Sequence, residues 1–278
     1  MTQSDPQAAS KARDPVLLKR ILSALILAPV ALACVIAGGQ AFSIFIAAFS
    51  AAMAWEWIRM SDATARPRAF ATATGTAVGA ALLAAQGTPA WAAFWILAGS
   101  VGVFMDRRPR GGATISLLGV LYVAASTALL VAMRSQPETG LISVLYLLAV
   151  VWSADTFAYV AGTWLGGPKL LPVASPNKTW SGLVAGLIFG VAGGTLLAMS
   201  FELGAGHAAL VALPIALAAV LGDLVMSLAK RRFGVKDAGS VIPGHGGVLD
   251  RVDALMLATL VAGGLMLMAP QVWPVGTL

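Results

Sequence analysis

Nine apolar runs follow one another from residue 16 to residue 270 with no polar domain between them. A helix needs about 20 mostly apolar residues to cross a bilayer. The runs lie at about 16–37, 40–58, 69–86, 89–105, 113–133, 140–162, 182–200, 207–229 and 252–270, the fourth being short and bounded by Pro89 and Asp106. With 59% hydrophobic and 11% charged residues, the chain has too little charge to cover a soluble domain of 278 residues. The expected fold is therefore all-α and polytopic. One integral membrane domain over 16–278 follows a polar, proline-containing tail at 1–15 that reads as disordered. The first run follows Lys19-Arg20 as a signal peptide would, but it exceeds an h-region and meets a second span at once, so it reads as a retained anchor.

The net charge of +6 does not point to nucleic acid, because the cations gather in short loops between apolar runs. Such loops stay in the cytosol. With the N-terminus inside, every Lys and Arg falls on the cytosolic side except Arg134, and the segment from Pro270 to Leu278 falls outside. The expected setting is the cytoplasmic (inner) membrane, with the basic loops, and any site they build, facing the cytosol. Cys34, the single cysteine, rules out an intrachain disulfide and a cysteine metal cluster.

Two inside loops, 163–181 and 230–251, are longer than the outside turns, and function should reside there. The second presents Lys230-Arg231-Arg232, Lys236-Asp237, Gly239, His245-Gly246-Gly247 and Asp250-Arg251-Val252-Asp253. Cations neutralise phosphate oxygens, glycines let backbone N–H groups approach an anion, and carboxylates hold the divalent cation that accompanies a nucleoside triphosphate. Asp223 lies inside an apolar run, where a carboxylate costs about 2.5–3.5 kcal/mol on insertion scales. Helical spacing places Ser227 and Lys230 on its face, so an Asp–Lys ion pair is the plain alternative to a functional site.

Asp250 and Asp253 share a face at the start of the ninth run, where acids also suit the positive end of the helix dipole. Asp223 ends one arm of a helix–loop–helix and Asp250 begins the other. The pair is the expected metal site, with Asp237 and Asp253 in reserve. His245 reads as a substrate contact. In the sixth run Asp155 is a further intramembrane carboxylate, with Tyr159 four residues on. After it, Ser175, Asn177, Lys178 and Thr179 precede a helix and read either as a phosphate-binding element or as a plain Ser/Thr cap.

The string Ser227-x2-Lys230-Arg231-x4-Lys236-Asp237-x-Gly239-x2-Ile242-Pro243-x-His245-Gly246-Gly247-Val248-x-Asp250-Arg251-Val252-Asp253 resembles the C-terminal signature of the phosphatidate cytidylyltransferases, or CDP-diacylglycerol synthases. Ala229 stands where a larger apolar residue is usual. Ser175 to Gly182 resembles the family's Ser-Pro-Lys-Lys-Thr-x-Glu-Gly, with Asn177 for the first lysine and Ser181 for the glutamate, leaving Lys178 the motif's only cation. Before residue 110 the likeness is one of topology, apart from Trp55-Glu56-Trp57.

The resemblance implies a transfer between CTP and phosphatidic acid that yields CDP-diacylglycerol and pyrophosphate and depends on magnesium, alone or with a second cation. It also implies a homodimer in membrane lipid. On it, Asp223 and Asp250 hold the metal while Lys178, Lys230 and Arg231 offset charge developing at phosphorus. Ser175, Asn177, Thr179, Asp155, Ser227, Lys236, Asp237, His245, Gly246, Gly247, Arg251 and Asp253 contact substrate. Two rivals remain, a multi-span transporter and a family homologue with impaired catalysis. A CDP-alcohol phosphotransferase would carry Asp-Gly-x2-Ala-Arg, which does not occur.

Overall fold

The computed structural model describes residues 14–62, 64–110, 112–242 and 246–275, so most of the expected N-terminal tail, and His245, lie outside the described residues. Nine α-helices occur among the described residues: α1 Asp14–Ala37, α2 Gly39–Ser61, α3 Pro67–Ala85, α4 Pro89–Arg107, α5 Ala113–Arg134, α6 Gly140–Trp164, α7 Trp180–Ser200, α8 Ala205–Arg232 and α9 Leu249–Met268. Each coincides with one expected run to within three residues at either end. Helices α2 to α9 are all long and apolar enough to span a membrane, and α1 contributes an apolar stretch at Leu25–Ala37. One element departs from an all-helical reading. Between α6 and α7 the chain forms an antiparallel hairpin of β1 Lys169–Leu171 and β2 Ser175–Thr179.

Helices α2 to α5 pack on one another, α6 lies along α7, and α8 lies between α7 and α9. Helix α9 also packs on α5 and α6, joining the two halves, whereas α1 packs mainly on α2 and α6. The closeness of α6 and α7 comes from a stripe of glycines four residues apart. A Cβ on Gly182 would lie 2.7 Å from the Ala158 carbonyl oxygen, and one on Gly194 2.5 Å from Val150 Cγ2. Without a hydrophobic drive between helices in lipid, such small-residue contact is what holds spans together.

Antiparallel succession puts the loops 62–66, 108–112, 165–179 and 233–248 at one end and short turns at the other. Among the described residues Arg134 is the single Lys or Arg at the short-turn end, and it has a structural task there. Its Nε and Nη2 donate to the carbonyls of Val35 (2.6 Å) and Ile36 (3.0 Å), closing the open C-terminus of α1. At the same end Trp273 turns back into the bundle and donates its indole N–H to Ser143 Oγ at 3.0 Å.

At the long-loop end Asp62, just past α2, bonds the Thr64 hydroxyl (2.7 Å) and backbone N–H (2.8 Å) and pairs with the buried Arg107. The Thr64 hydroxyl first, and then Arg107, hold the Asp62 carboxyl below its ordinary 3.8, at about 2. A carboxyl whose pKa falls on folding stabilises the fold once ionised, so its contribution is full above about pH 4 and fades as pH falls toward 2. Asp62→Asn is expected to lower stability near neutrality by about 1–2 kcal/mol, allowing for partial solvent screening. In unfolding midpoints measured from pH 6 to pH 2, its gap from wild type is expected to close at the acid end.

Candidate active site

Asp223, Ser227 and Lys230 descend one face of α8 at spacings of four and three. Ser227 donates to Asp223 Oδ1 at 3.3 Å. The ion pair suggested by spacing, Asp223 with Lys230, is not the one formed. Asp223 Oδ2 instead meets Lys178 Nζ at 2.5 Å, brought from β2, because the hairpin folds over the end of α8. Lys230 reaches away to α9 and lies 2.7 Å from Asp250 Oδ1 and 3.8 Å from Asp253 Oδ2. The two lysines thus tie three elements together, β2 to α8 and α8 to α9.

Asp250, in the first turn of α9, also fixes the loop before it. Its Oδ2 accepts the N–H groups of Ala238 (2.8 Å) and Gly247 (3.0 Å), from the two limbs of that loop. The limbs close again where Ile242 N–H donates to the Gly246 carbonyl at 2.9 Å. Asp155 on α6 and Asp253 both stand within the electrostatic reach of Asp223. Asp250 and Asp253 thus stand at Lys230 and Asp223 at Lys178, with Asp155 facing them from α6.

Two cavities flank this cluster. One, of about 440 Å³, is lined by Ser175, Asn177, Ser227, Lys230, Arg231, Lys236 and Asp237, so it joins both long loops. The other, of about 370 Å³, opens among α1, α2, α5, α6 and α9, with walls that include Phe42, Met53, Leu130 and Leu148. Three hydroxyls on that wall, of Ser126, Thr127 and Thr259, are bonded to carbonyls of their own helices, so the wall offers little to a polar ligand. Its polar lining includes Asp155 and Arg251. The first turn of α9 stands between the cavities, since Arg251 and Val252 face the apolar one while Asp250 holds Lys230, which faces the polar one.

Of the expected substrate contacts, Thr179 is placed differently. Its side chain is buried, and its oxygen accepts the Gly182 N–H (3.1 Å) and lies 2.9 Å from Ser181 Oγ, so it caps α7 and orders the hairpin. Ser181, standing where the resembling motif has an acid, donates to the Gly166 carbonyl at 2.5 Å. Tyr159 is 75% exposed and does not join the cluster. Gly246 and Gly247 lie against Asp250, and Gly246 adopts a positive φ of 83°.

Sequence reasoning quoted Glu56 only within the family-like Trp55-Glu56-Trp57 and gave it no role. This carboxylate of α2 is fully buried and receives the backbone N–H groups of Val248 (3.0 Å) and Leu249 (2.9 Å). The available signal was an acid inside an apolar run, the same one that singled out Asp223.

The Cytidylyltransferase family matches residues 18–268 of this chain. A phosphatidate cytidylyltransferase of Brucella abortus is 38% identical over 242 residues, covering 86% of this chain and 89% of the relative. Proteins of the same name from Rickettsia bellii (40% over 149 residues, 51% of this chain and 64% of the relative) and Staphylococcus haemolyticus (43% over 155 residues, 55% and 56%) are similar over shorter stretches.

Proposed function

The chain belongs to the cytidylyltransferase family, and we propose that it transfers the cytidylyl group of CTP to phosphatidic acid, giving CDP-diacylglycerol and pyrophosphate. The observation that carries this reading is the pair of cavities on either side of one helical turn. A cationic cavity between two loops suits a nucleoside triphosphate, and an apolar one at bilayer depth suits an acyl chain. A transporter has no need of such a division.

In the reaction, a phosphate oxygen of phosphatidic acid attacks the α-phosphorus of CTP in line, and the bond to the β-phosphate oxygen breaks. The lipid phosphate attacks as its dianion, so no proton has to be removed and pyrophosphate leaves with the electron pair. Lys230 and Arg231 lie where they can meet the phosphates of a nucleotide in the polar cavity, and Lys178 lies beside Asp223. Fixed cations aimed at developing charge lower the barrier without reorganising.

The donor set fits a divalent cation. Among the described residues no three acids or histidines form a ready cage, and magnesium is usually held by one or two carboxylates together with substrate phosphates and water. Asp223, paired with Lys178, and Asp250, paired with Lys230, supply two such carboxylates close to the polar cavity that Lys230 lines. Asp223 and Asp250 would hold the cation, each through an oxygen that now meets a lysine. Bound there, magnesium would neutralise triphosphate charge.

The site end belongs to the cytosol on this reading, with the chain in the inner membrane. Its support is that, among the described residues, every Lys and Arg except Arg134 lies at that end. Association as a homodimer rests on the family resemblance alone, and crosslinking in native membranes tests it.

Purified protein in lipid nanodiscs, given phosphatidic acid, labelled CTP and magnesium, is expected to form CDP-diacylglycerol and pyrophosphate in equal amounts. Hydrolysis of CTP indifferent to lipid, or no turnover, would overturn the reading. The apolar cavity makes a finer forecast. Leu130→Trp narrows its wall and is expected to raise KM for long-chain phosphatidic acid about tenfold, the scale of a few misplaced methylenes. A short-chain lipid is expected to feel little change, and KM for CTP none.

A further inference from the structure

Glu56 does something that neither the metal nor the substrates require. It stands in α2 between Trp55 and Trp57, almost two hundred residues before the loop it touches. Both of its oxygens are engaged, Oε1 by the Val248 N–H and Oε2 by the Leu249 N–H. Those are orphan donors at the start of α9, which has no side-chain cap of its own. The platform is anchored in turn, because the Trp57 indole donates to the Ile115 carbonyl at 3.2 Å and meets the Phe233 ring edge-on.

Two glycines make room for this carboxylate. A Cβ on Gly239 would lie 2.5 Å from Glu56 Oε1, and its next nearest neighbours, at 2.8 and 2.9 Å, are also atoms of Glu56. A Cβ on Gly247 would lie 2.7 Å from Oε2 and 2.8 Å from the Gly239 nitrogen. The loop therefore closes over Glu56 only where side chains are missing.

We propose that Glu56 is a positioning residue, a helix cap delivered by α2 to α9 that sets the angle of Asp250 and, through it, of Lys230, and that Gly239 is glycine in order to admit it. The consequence for turnover rests on the cytidylyl-transfer reading. The cap itself does not.

The test uses full-length protein in nanodiscs as Glu56→Gln, Glu56→Ala, Gly239→Ala and the double variant Glu56→Ala/Gly239→Ala. Gln keeps the size of the side chain but turns one N–H acceptor into a donor. Correctly folded Glu56→Gln is expected to lose about tenfold to a hundredfold in kcat, with KM for CTP changed less than threefold, because the reacting groups are misaimed rather than removed. A merely structural role would instead reduce the folded fraction and leave kcat per folded molecule intact. Gly239→Ala is expected to lower the unfolding midpoint sharply in wild type and scarcely at all in Glu56→Ala, where the added methyl enters vacated space. Wild-type kcat in folded Glu56→Gln would overturn the positioning role. Additive shifts in midpoint across the four proteins would overturn the account of Gly239. The midpoints need no turnover, so they judge the cap even if the wild-type protein made no CDP-diacylglycerol.

Discussion

Asp250→Asn, folded and correctly inserted, is expected to lose at least about a hundredfold in kcat. The replacement is isosteric, so the loss comes from charge and hydrogen-bond polarity. One oxygen of Asp250 faces the Lys230 ammonium at 2.7 Å, and the other accepts two backbone N–H groups, from Ala238 and Gly247. An amide cannot serve both sides. Turned one way, its NH2 opposes an ammonium; turned the other, it opposes two N–H donors. Either way the loop limbs and the lysine lose a common anchor, and a cation loses a proposed ligand. Asp237→Asn is the control, since Asp237 is exposed and lines the polar cavity and, among the described residues, has no ion pair within 4 Å. It is expected to cost less than tenfold. Steady-state kcat at several magnesium concentrations reads both variants, and wild-type turnover by folded Asp250→Asn would remove Asp250 from the chemistry.

The helices were legible because lipid imposes one rule on every span, about 20 apolar residues with all backbone bonds satisfied internally. No residue-level detail was needed to place α1 to α9. Local pairings were legible where one helix supplied both partners, as with Ser227 and Asp223, or where a helix began, as with Asp250 and Asp253. What escaped was decided by contacts between elements far apart in the chain. Helical spacing offered Asp223 its neighbour Lys230, but the hairpin at 169–179 brings Lys178 over α8 and leaves Lys230 free for α9. Thr179 carried both readings equally, and the contact that makes it a cap, with the Gly182 N–H, forms only where the hairpin meets α7. Glu56 was hidden by distance along the chain, since nothing in 51–61 announces a loop at 239–249. The two cavities likewise exist only once five helices and two loops have met.

The second large effect concerns Lys178, the sole cation left in the altered Ser-Pro-Asn-Lys-Thr segment. Lys178→Met keeps the aliphatic stem and removes the charge. Two costs compete, to the fold and to the transition state. The side chains of the pair it forms with Asp223 are 23% and 32% exposed, although Lys178 Nζ itself is buried, so its stabilising worth lies between the roughly 1 kcal/mol of surface pairs and that of buried ones. Lys230 differs, because its partners Asp250 and Asp253 are only 5% and 16% exposed. Stripping a buried pair of one partner costs about 3–5 kcal/mol. Loss of activity in Lys230→Met is therefore entangled with loss of fold, whereas Lys178→Met should remain folded and report on chemistry. The expected outcome for Lys178→Met is a fall in kcat of about a hundredfold to a thousandfold, with an unfolding midpoint lowered less than in Lys230→Met. Asn177→Lys in that background supplies an ammonium at the neighbouring position, on the polar cavity but not beside Asp223. If charge alone matters, it recovers most of the loss; if the contact with Asp223 sets where the charge acts, it recovers little. The second result is the one expected, because strand neighbours point to opposite faces of β2.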